Sequence, residues 1–176
     1  MIELYVPEKT ELWFREELLS DPVTMAYNKG YDLGFPEYHN DTGCIDFPKE
    51  NWDSWYRRWV NAQPERFYAY LRRKSDGAFL GEVNLYRKGP EGWYEMGIVL
   101  HGKYRGQGYS AQGLKLLLRY GFEEMNAAGI SNEFELSRKA ASELHRAVGF
   151  RQIKTENGLT FWTISREDYE NLHKIL

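Results

Sequence analysis

Cysteine is almost missing from this chain. Among 176 residues there is one, Cys44, so no disulfide forms within the chain and no cysteine-held metal cluster is possible, which fits a reducing cytoplasm. Positive charge is also scarce. With 23 lysines and arginines against 26 acids the formal charge is -3, which argues against recognition of nucleic acid through a broad basic surface. No apolar run approaches the length of a membrane span. The opening Met1-Ile-Glu-Leu-Tyr-Val-Pro7 carries an acid and no apolar stretch, so it is not expected to be a secretory leader. The phosphate-loop pattern ending in Gly-Lys-Ser/Thr is absent. No serine, histidine and aspartate spacing points to a covalent intermediate, and no cluster recommends a metal.

What is present suits one folded unit over 1–176. Hydrophobic residues at 42% and charged ones at 28% supply an ordinary soluble core, and neither a repeat nor a linker divides the chain. A strand is expected from Ile2 to Val6, then a helix capped by Thr10 and stopped at Asp21-Pro22. Val23 to Phe47 lacks a period and reads as a long ordered loop. Between Asp21 and Asp53 seven acids face two lysines, an excess suited to a cationic ligand or simply to solvation. Pro48 opens a helix whose Trp52, Trp55, Tyr56, Trp59 and Val60 form a stripe assigned mostly to core. Strands over Phe67–Leu71 and Phe79–Tyr86 are joined at Asp76-Gly77, and a third runs from Trp93 to Leu100. A helix follows over Ala111–Met125, then a short strand Glu133–Leu136 and a helix Ala140–Val148. Gly149-Phe150 opens a final hairpin that turns at Asn157-Gly158, and Ser165 to Asp168 caps a closing helix.

The chemistry gathers in the turn between the Trp93 strand and the long helix. Gly106 and Gly108 free the backbone to curl, and the N–H groups of a first helical turn have no carbonyl to bond. A phosphate is the natural partner there, with the helix dipole adding attraction and Arg105 a fixed positive charge. Gly106-Gln-Gly-Tyr-Ser-Ala111 also fits G-x-G-x-x-A, but that dinucleotide fingerprint follows the first strand of a parallel unit, whereas hairpins come first here.

Taken together, Glu95-Met-Gly-Ile-Val-Leu100, Tyr104-Arg-Gly-Gln-Gly-Tyr-Ser110 and Leu144-His-Arg-Ala-Val-Gly-Phe150 resemble the GNAT superfamily of acyl-CoA-dependent N-acetyltransferases, with the flavour of its ribosomal-protein branch. The resemblance implies an α/β fold of the α+β type: a single domain whose mixed, mostly antiparallel twisted sheet is flanked by helices and has splayed central strands. It implies that Arg105, Gly106, Gln107, Gly108, Tyr109 and Ser110 hold the CoA pyrophosphate. Ile98, Val99 and Leu100 would pair with the pantetheine arm, and Arg138 would lie along the cofactor. The family often has Asn where Arg138 stands and Tyr where His145 stands; both are departures.

The expected activity is transfer of an acetyl group from acetyl-CoA to a primary amine by direct attack in a ternary complex. The acceptor is a small polyamine, an amino sugar or a peptide N-terminus; a non-catalytic acyl-CoA-binding regulatory module is the alternative. An alkylammonium has a pKa of about 10.4, so its proton must be removed before attack. Glu95, on the same strand face as Val99, is the expected base, with Glu82 as a second acid. His145 is the expected acid for the departing thiolate, on the strength of an imidazole pKa near 6.5. The protein is expected to be cytoplasmic, to use no metal, nucleic acid or membrane, and to dimerise if it follows similar domains.

Overall fold

The computed structural model describes residues 1–174. Its centre is one seven-stranded sheet in the order β1-β2-β3-β4-β5-β7-β6. The strands are β1 (Ile2–Tyr5), β2 (Arg66–Arg73), β3 (Phe79–Arg87), β4 (Trp93–Leu100), β5 (Gly129–Glu135), β6 (Arg151–Glu156) and β7 (Leu159–Ser165). Every neighbouring pair is antiparallel except β4 and β5. A parallel pair needs a crossover, and α4 (Tyr109–Arg119) supplies it.

Side chains alternate across the strands and so sort two layers. Val83, Leu85, Tyr94, Met96, Ile130 and Phe134 point to the face covered by α4, α5 (Lys139–Ala147) and α6 (Arg166–Lys174), and with Leu114, Leu117, Leu118 and Trp162 they form the main core. The opposite face carries Tyr68 and Tyr70 and is covered by α1 (Trp13–Ser20), α2 (Pro22–Met25) and α3 (Lys49–Trp59). This is the expected architecture, a mostly antiparallel sheet between two layers of helix.

Local differences have local causes. Thr10 does not cap α1; Glu11 instead accepts the N–H of Glu8 at 2.8 Å and closes a tight turn ahead of the helix. The long loop holds α2, whose first amides Val23 and Thr24 donate to Asp21, and a bridge between Tyr38 and Ile45. Two residues beyond Leu100 the turn Gly102–Tyr104 begins, capped by Arg105, and Gly108 at φ +78° opens α4 two residues earlier than expected. The last expected turn of that helix, Tyr120–Glu124, widens to π geometry. In the closing helix Ser165 Oγ accepts the N–H of Asp168 at 3.1 Å while the Asp168 carboxylate accepts from Ser165, the reciprocal cap that the sequence pattern announces.

Candidate active site

The parallel pair is short. It holds for Trp93–Gly129, Tyr94–Ile130 and Glu95–Ser131, and then the strands part. Gly97, Ile98 and Val99 keep β3 on one side and have lost β5 on the other. The fork opens into a cleft of about 920 Å³, reached from one side by the Gly106–Ala111 turn and α5 and from the other by Tyr27, Trp59, Asn84 and Tyr86.

At the turn Gly106 and Gly108 take φ of +75° and +78°, and a Cβ built on either meets nothing within 4 Å. Both therefore face open space, and glycine is needed for backbone conformation. Among the described residues, no hydrogen bond takes the N–H of Gly106, Gln107, Gly108, Tyr109, Ser110 or Ala111; the first amide used within the chain is that of Gln112, which donates to the Gly108 carbonyl at 3.2 Å. Six free amides at the N-terminus of an eleven-residue helix form a cradle for phosphate oxygens. Gln107 turns its side chain back onto the Lys103 carbonyl at 3.2 Å, and the Tyr109 hydroxyl accepts from Arg73 at 3.4 Å.

Arg105 is not a loose cation at the mouth. Its guanidinium donates to the carbonyls of Val23 at 3.0 Å and Thr24 at 2.6 Å, tying the turn to α2 while still lining the cleft. Gly102 strengthens the tie by donating to Thr24 Oγ1 at 2.9 Å. Arg138, at the start of α5, reaches across the cleft with its guanidinium 4.7 Å from the Tyr27 ring centre and 5.7 Å from that of Phe134. With Lys139 these residues make the α5 side of the cleft basic, in keeping with a ligand that carries phosphates.

Glu95 lies on the opposite face of the sheet from Met96, the face it shares with Val99. The Tyr86 hydroxyl donates to one oxygen at 2.5 Å and Lys88 Nζ stands 2.6 Å from the other, so both carboxylate oxygens are engaged. Lys88 also reaches Glu133 at 3.1 Å, and its bond to Glu95 pushes the ammonium pKa up. Burial and the Glu95 bond push the Tyr86 phenol up to about 12. Glu82 is committed elsewhere. Buried, it pairs with Arg15 and accepts from Tyr68, and Arg15 stacks 4.4 Å from the Trp55 ring.

His145 departs from its expected part. It is 2% exposed, packed between Phe134, Phe150 and Trp162. Nδ1 lies 2.7 Å from the Ala141 carbonyl and must carry the proton; Nε2 then accepts from the Asn132 amide at 2.9 Å. Burial chiefly, with the charge of Arg138, lowers its pKa to about 4. A neutral ring whose one proton is given to a backbone carbonyl is no acid for a thiolate at neutral pH, so that expectation is corrected. Sequence reasoning missed Tyr27, Trp59 and Asn84, which a loop without a period, a stripe taken as core and a strand interior did not single out.

A forked sheet beside a helix that offers bare amides defines an acyl-CoA-dependent acyltransferase. The chain belongs to the acetyltransferase (GNAT) domain family, whose model matches residues 2–151, and it transfers acetyl groups from acetyl-CoA to an amine. The uncharacterized N-acetyltransferase YnaD of Bacillus subtilis is 24% identical over 122 residues, covering 66% of this chain and 71% of that protein. Among solved structures, spermidine N-acetyltransferase of Vibrio cholerae with CoA and spermine superposes with a TM-score of 0.75 at 16% identity, covering 97% of this chain and 98% of that one. A GNAT-family acetyltransferase of Bacillus anthracis gives 0.72 at 18% identity over 94% and 95%. None of these names a ribosomal-protein substrate. No group of three or more histidine, cysteine or acidic residues is placed to hold a metal among the described residues, and no described helix is long and apolar enough to cross a membrane.

Proposed function

We propose that the acceptor is a small polyamine, placing the chain with polyamine acetyltransferases rather than with the ribosomal-protein branch, and that the reaction is direct attack in a ternary complex in the cytoplasm. The observation that carries the reading is the row of free amides from Gly106 to Ala111 beside strands that part after three residue pairs. That arrangement puts a phosphate cradle and unpaired strand backbone on one path. The amides of 106–111 take the diphosphate, Arg105 and Arg138 flank it, and Ile98, Val99 and Leu100 offer backbone groups to the pantetheine arm. Acetyl-CoA supplies the activated acyl group; the chain orients it and brings an amine from the far side.

On that side the aromatic walls of Tyr27, Trp59 and Tyr86 suit alkylammonium groups, and the spermine complex of the Vibrio cholerae structure supports the substrate class. Glu95 is the destination for the amine's proton. Both its oxygens are engaged, and Lys88, 47% exposed, is the partner that yields. His145 is a positioning residue: it fixes Asn132, whose side-chain oxygen in turn accepts the Glu133 N–H at 2.9 Å.

Thiol release with spermidine, spermine, an aminoglycoside and a ribosomal-protein N-terminal peptide tests the acceptor. Spermidine or spermine is expected to turn over best; turnover confined to the peptide would restore the ribosomal-protein branch. Gly108→Val is expected to weaken acetyl-CoA binding by about tenfold or more, since a side chain at φ +78° is strained and crowds the cradle. Glu95→Gln should lower kcat and leave acetyl-CoA affinity unchanged.

A further inference from the structure

Asn84 and Gly97 stand opposite each other in the β3–β4 register. Gly97 lies two residues past Glu95, where β4 has just lost β5. A Cβ built on Gly97 would sit 2.6 Å from Asn84 Nδ2 and 3.1 Å from Oδ1. Carbon and nitrogen do not approach so closely without a bond, so the Asn84 carboxamide rests where any other residue at 97 would put its side chain. Gly97 has no positive φ to explain it. Its missing side chain is a seat for the amide.

That amide lines the cleft on the same strand face as Tyr86 and Glu95. Two other polar groups of the cleft are in use: Tyr86 donates to Glu95, and Asn132 is bound to His145. Asn84 has no hydrogen-bond partner for its side chain among the described residues. Half-buried at the cleft wall and bonded to nothing in the chain, the amide is free to meet a ligand there.

We propose that Asn84 is the residue that grips the acceptor nitrogen at the fork, and that Gly97 is required because it seats that grip. The inference rests on acetyl transfer to an amine in this cleft. Glu95 first takes one proton from the ammonium; then, as the N–C bond forms and the thioester C–S bond breaks, sulfur leaves with the electron pair of the broken bond and the second nitrogen proton passes to it, so that CoA departs as the thiol. Asn84 takes no part in either proton movement. Its Oδ1 accepts one N–H of the incoming amine and so turns the nitrogen lone pair toward the acyl carbon, a bond made equally to the ammonium as it arrives.

The test is steady-state kinetics with spermidine and acetyl-CoA on Asn84→Ala, Gly97→Ala and the double variant. Asn84→Ala is expected to reduce kcat/KM for the amine by about 10- to 100-fold, the range of one hydrogen bond to a charged or reacting group. Acetyl-CoA affinity should stay within about twofold. The displaced group in Gly97→Ala is the end of a flexible side chain, so that variant should fold, lose the same activity and keep the same acetyl-CoA affinity. Because both remove one grip, the double variant should be little worse than either alone. The pH dependence of Asn84→Ala should match that of the unaltered protein, whereas Asn84→Asp should add a titrating limb. The inference is overturned if Asn84→Ala keeps kcat/KM within about twofold, or if the two losses multiply in the double variant. Should the unaltered protein bind acetyl-CoA and acetylate no amine, the proposed function fails first and takes the inference with it; the unaltered protein thus decides one and the variants the other.

Discussion

With Nδ1–H given to Ala141 and Nε2 taken up by Asn132, His145 has no route to a solvated imidazolium in the folded chain. Its pKa falls from the ordinary 6.5 to about 4. The folded state thus refuses a proton that the unfolded chain accepts, and stability is complete above about pH 6.5 and is lost as pH falls toward 4. The depression corresponds to roughly 3 kcal/mol in full, of which about 2 is spent by pH 5. Urea unfolding at pH 7.5 and pH 5 should show that loss in the unaltered protein and a flatter dependence in His145→Gln. An equal slope in both would clear His145 of the effect. The burial was legible in principle, because Ala141, Leu144, His145 and Val148 stand at i, i+3, i+4 and i+7, one helix face. Family position drew attention to the imidazole as a donor, while the periodicity already placed it with the core.

At the scale of elements, α4 does two things at once: its N-terminus offers the amides and its body must lie close to the sheet to aim them. Gly113 makes the close approach possible, since a Cβ there would fall 2.5 Å from Leu71 Cδ1. Further along, a Cβ on Gly121 would fall 2.8 Å from Ile130 Cδ1, where the helix has widened into its π turn. Gly113→Leu is expected to cost about 1–3 kcal/mol by overpacking, read as a lower urea midpoint at unchanged m value. It should also weaken acetyl-CoA binding, because the helix can relieve the clash only by lifting its cradle off the fork. A loss of stability with acetyl-CoA affinity intact would separate the two roles. The start and period of this helix were legible from its glycine turn and leucines. Its closeness to the sheet was not, because a glycine inside a helical pattern shows a weak helix former and says nothing of what lies opposite. The strand expected from Glu133 begins earlier, at Gly129, which opens β5 with the Trp93 indole 2.5 Å from where its Cβ would be.

Over the whole molecule a mixed sheet, antiparallel first, was legible, since turn signals and periods mark most of the elements; its strand order was not read from the chain. The wall of the acceptor side was not, because Tyr27, Trp59 and Asn84 come from three separate stretches and meet only through the fold. One long-range property connects them. The segment from Asp21 to Asp53, which carries Tyr27 and leads into the helix of Trp59, holds seven acids against two lysines. Some of that charge is spent locally: Asp53 pairs with Lys9 at 2.8 Å and Arg57 at 3.0 Å, Asp46 with His39 at 2.9 Å, and Asp21 caps α2. Asp32, Asp41 and Glu50 are exposed and Glu37 is half-buried, and none of the four has an ion-pair partner among the described residues. None of these four acids lines the cleft, so their pull on a cationic acceptor acts at a distance through the field, and fields of this kind raise encounter rates until salt screens them. Screening acts over about 10 Å at 0.1 M salt. Raising ionic strength from about 0.05 to 0.5 M should therefore raise the KM for spermidine roughly 3- to 10-fold, with much less change for an alkyl monoamine of similar length, since attraction scales with the ligand's charge. Replacing Asp32, Glu37, Asp41 and Glu50 by their amides should remove most of that salt dependence at unchanged kcat. A KM that rises equally for both amines would mean that the acidic segment is only solvated surface, and that the aromatic walls alone select the acceptor.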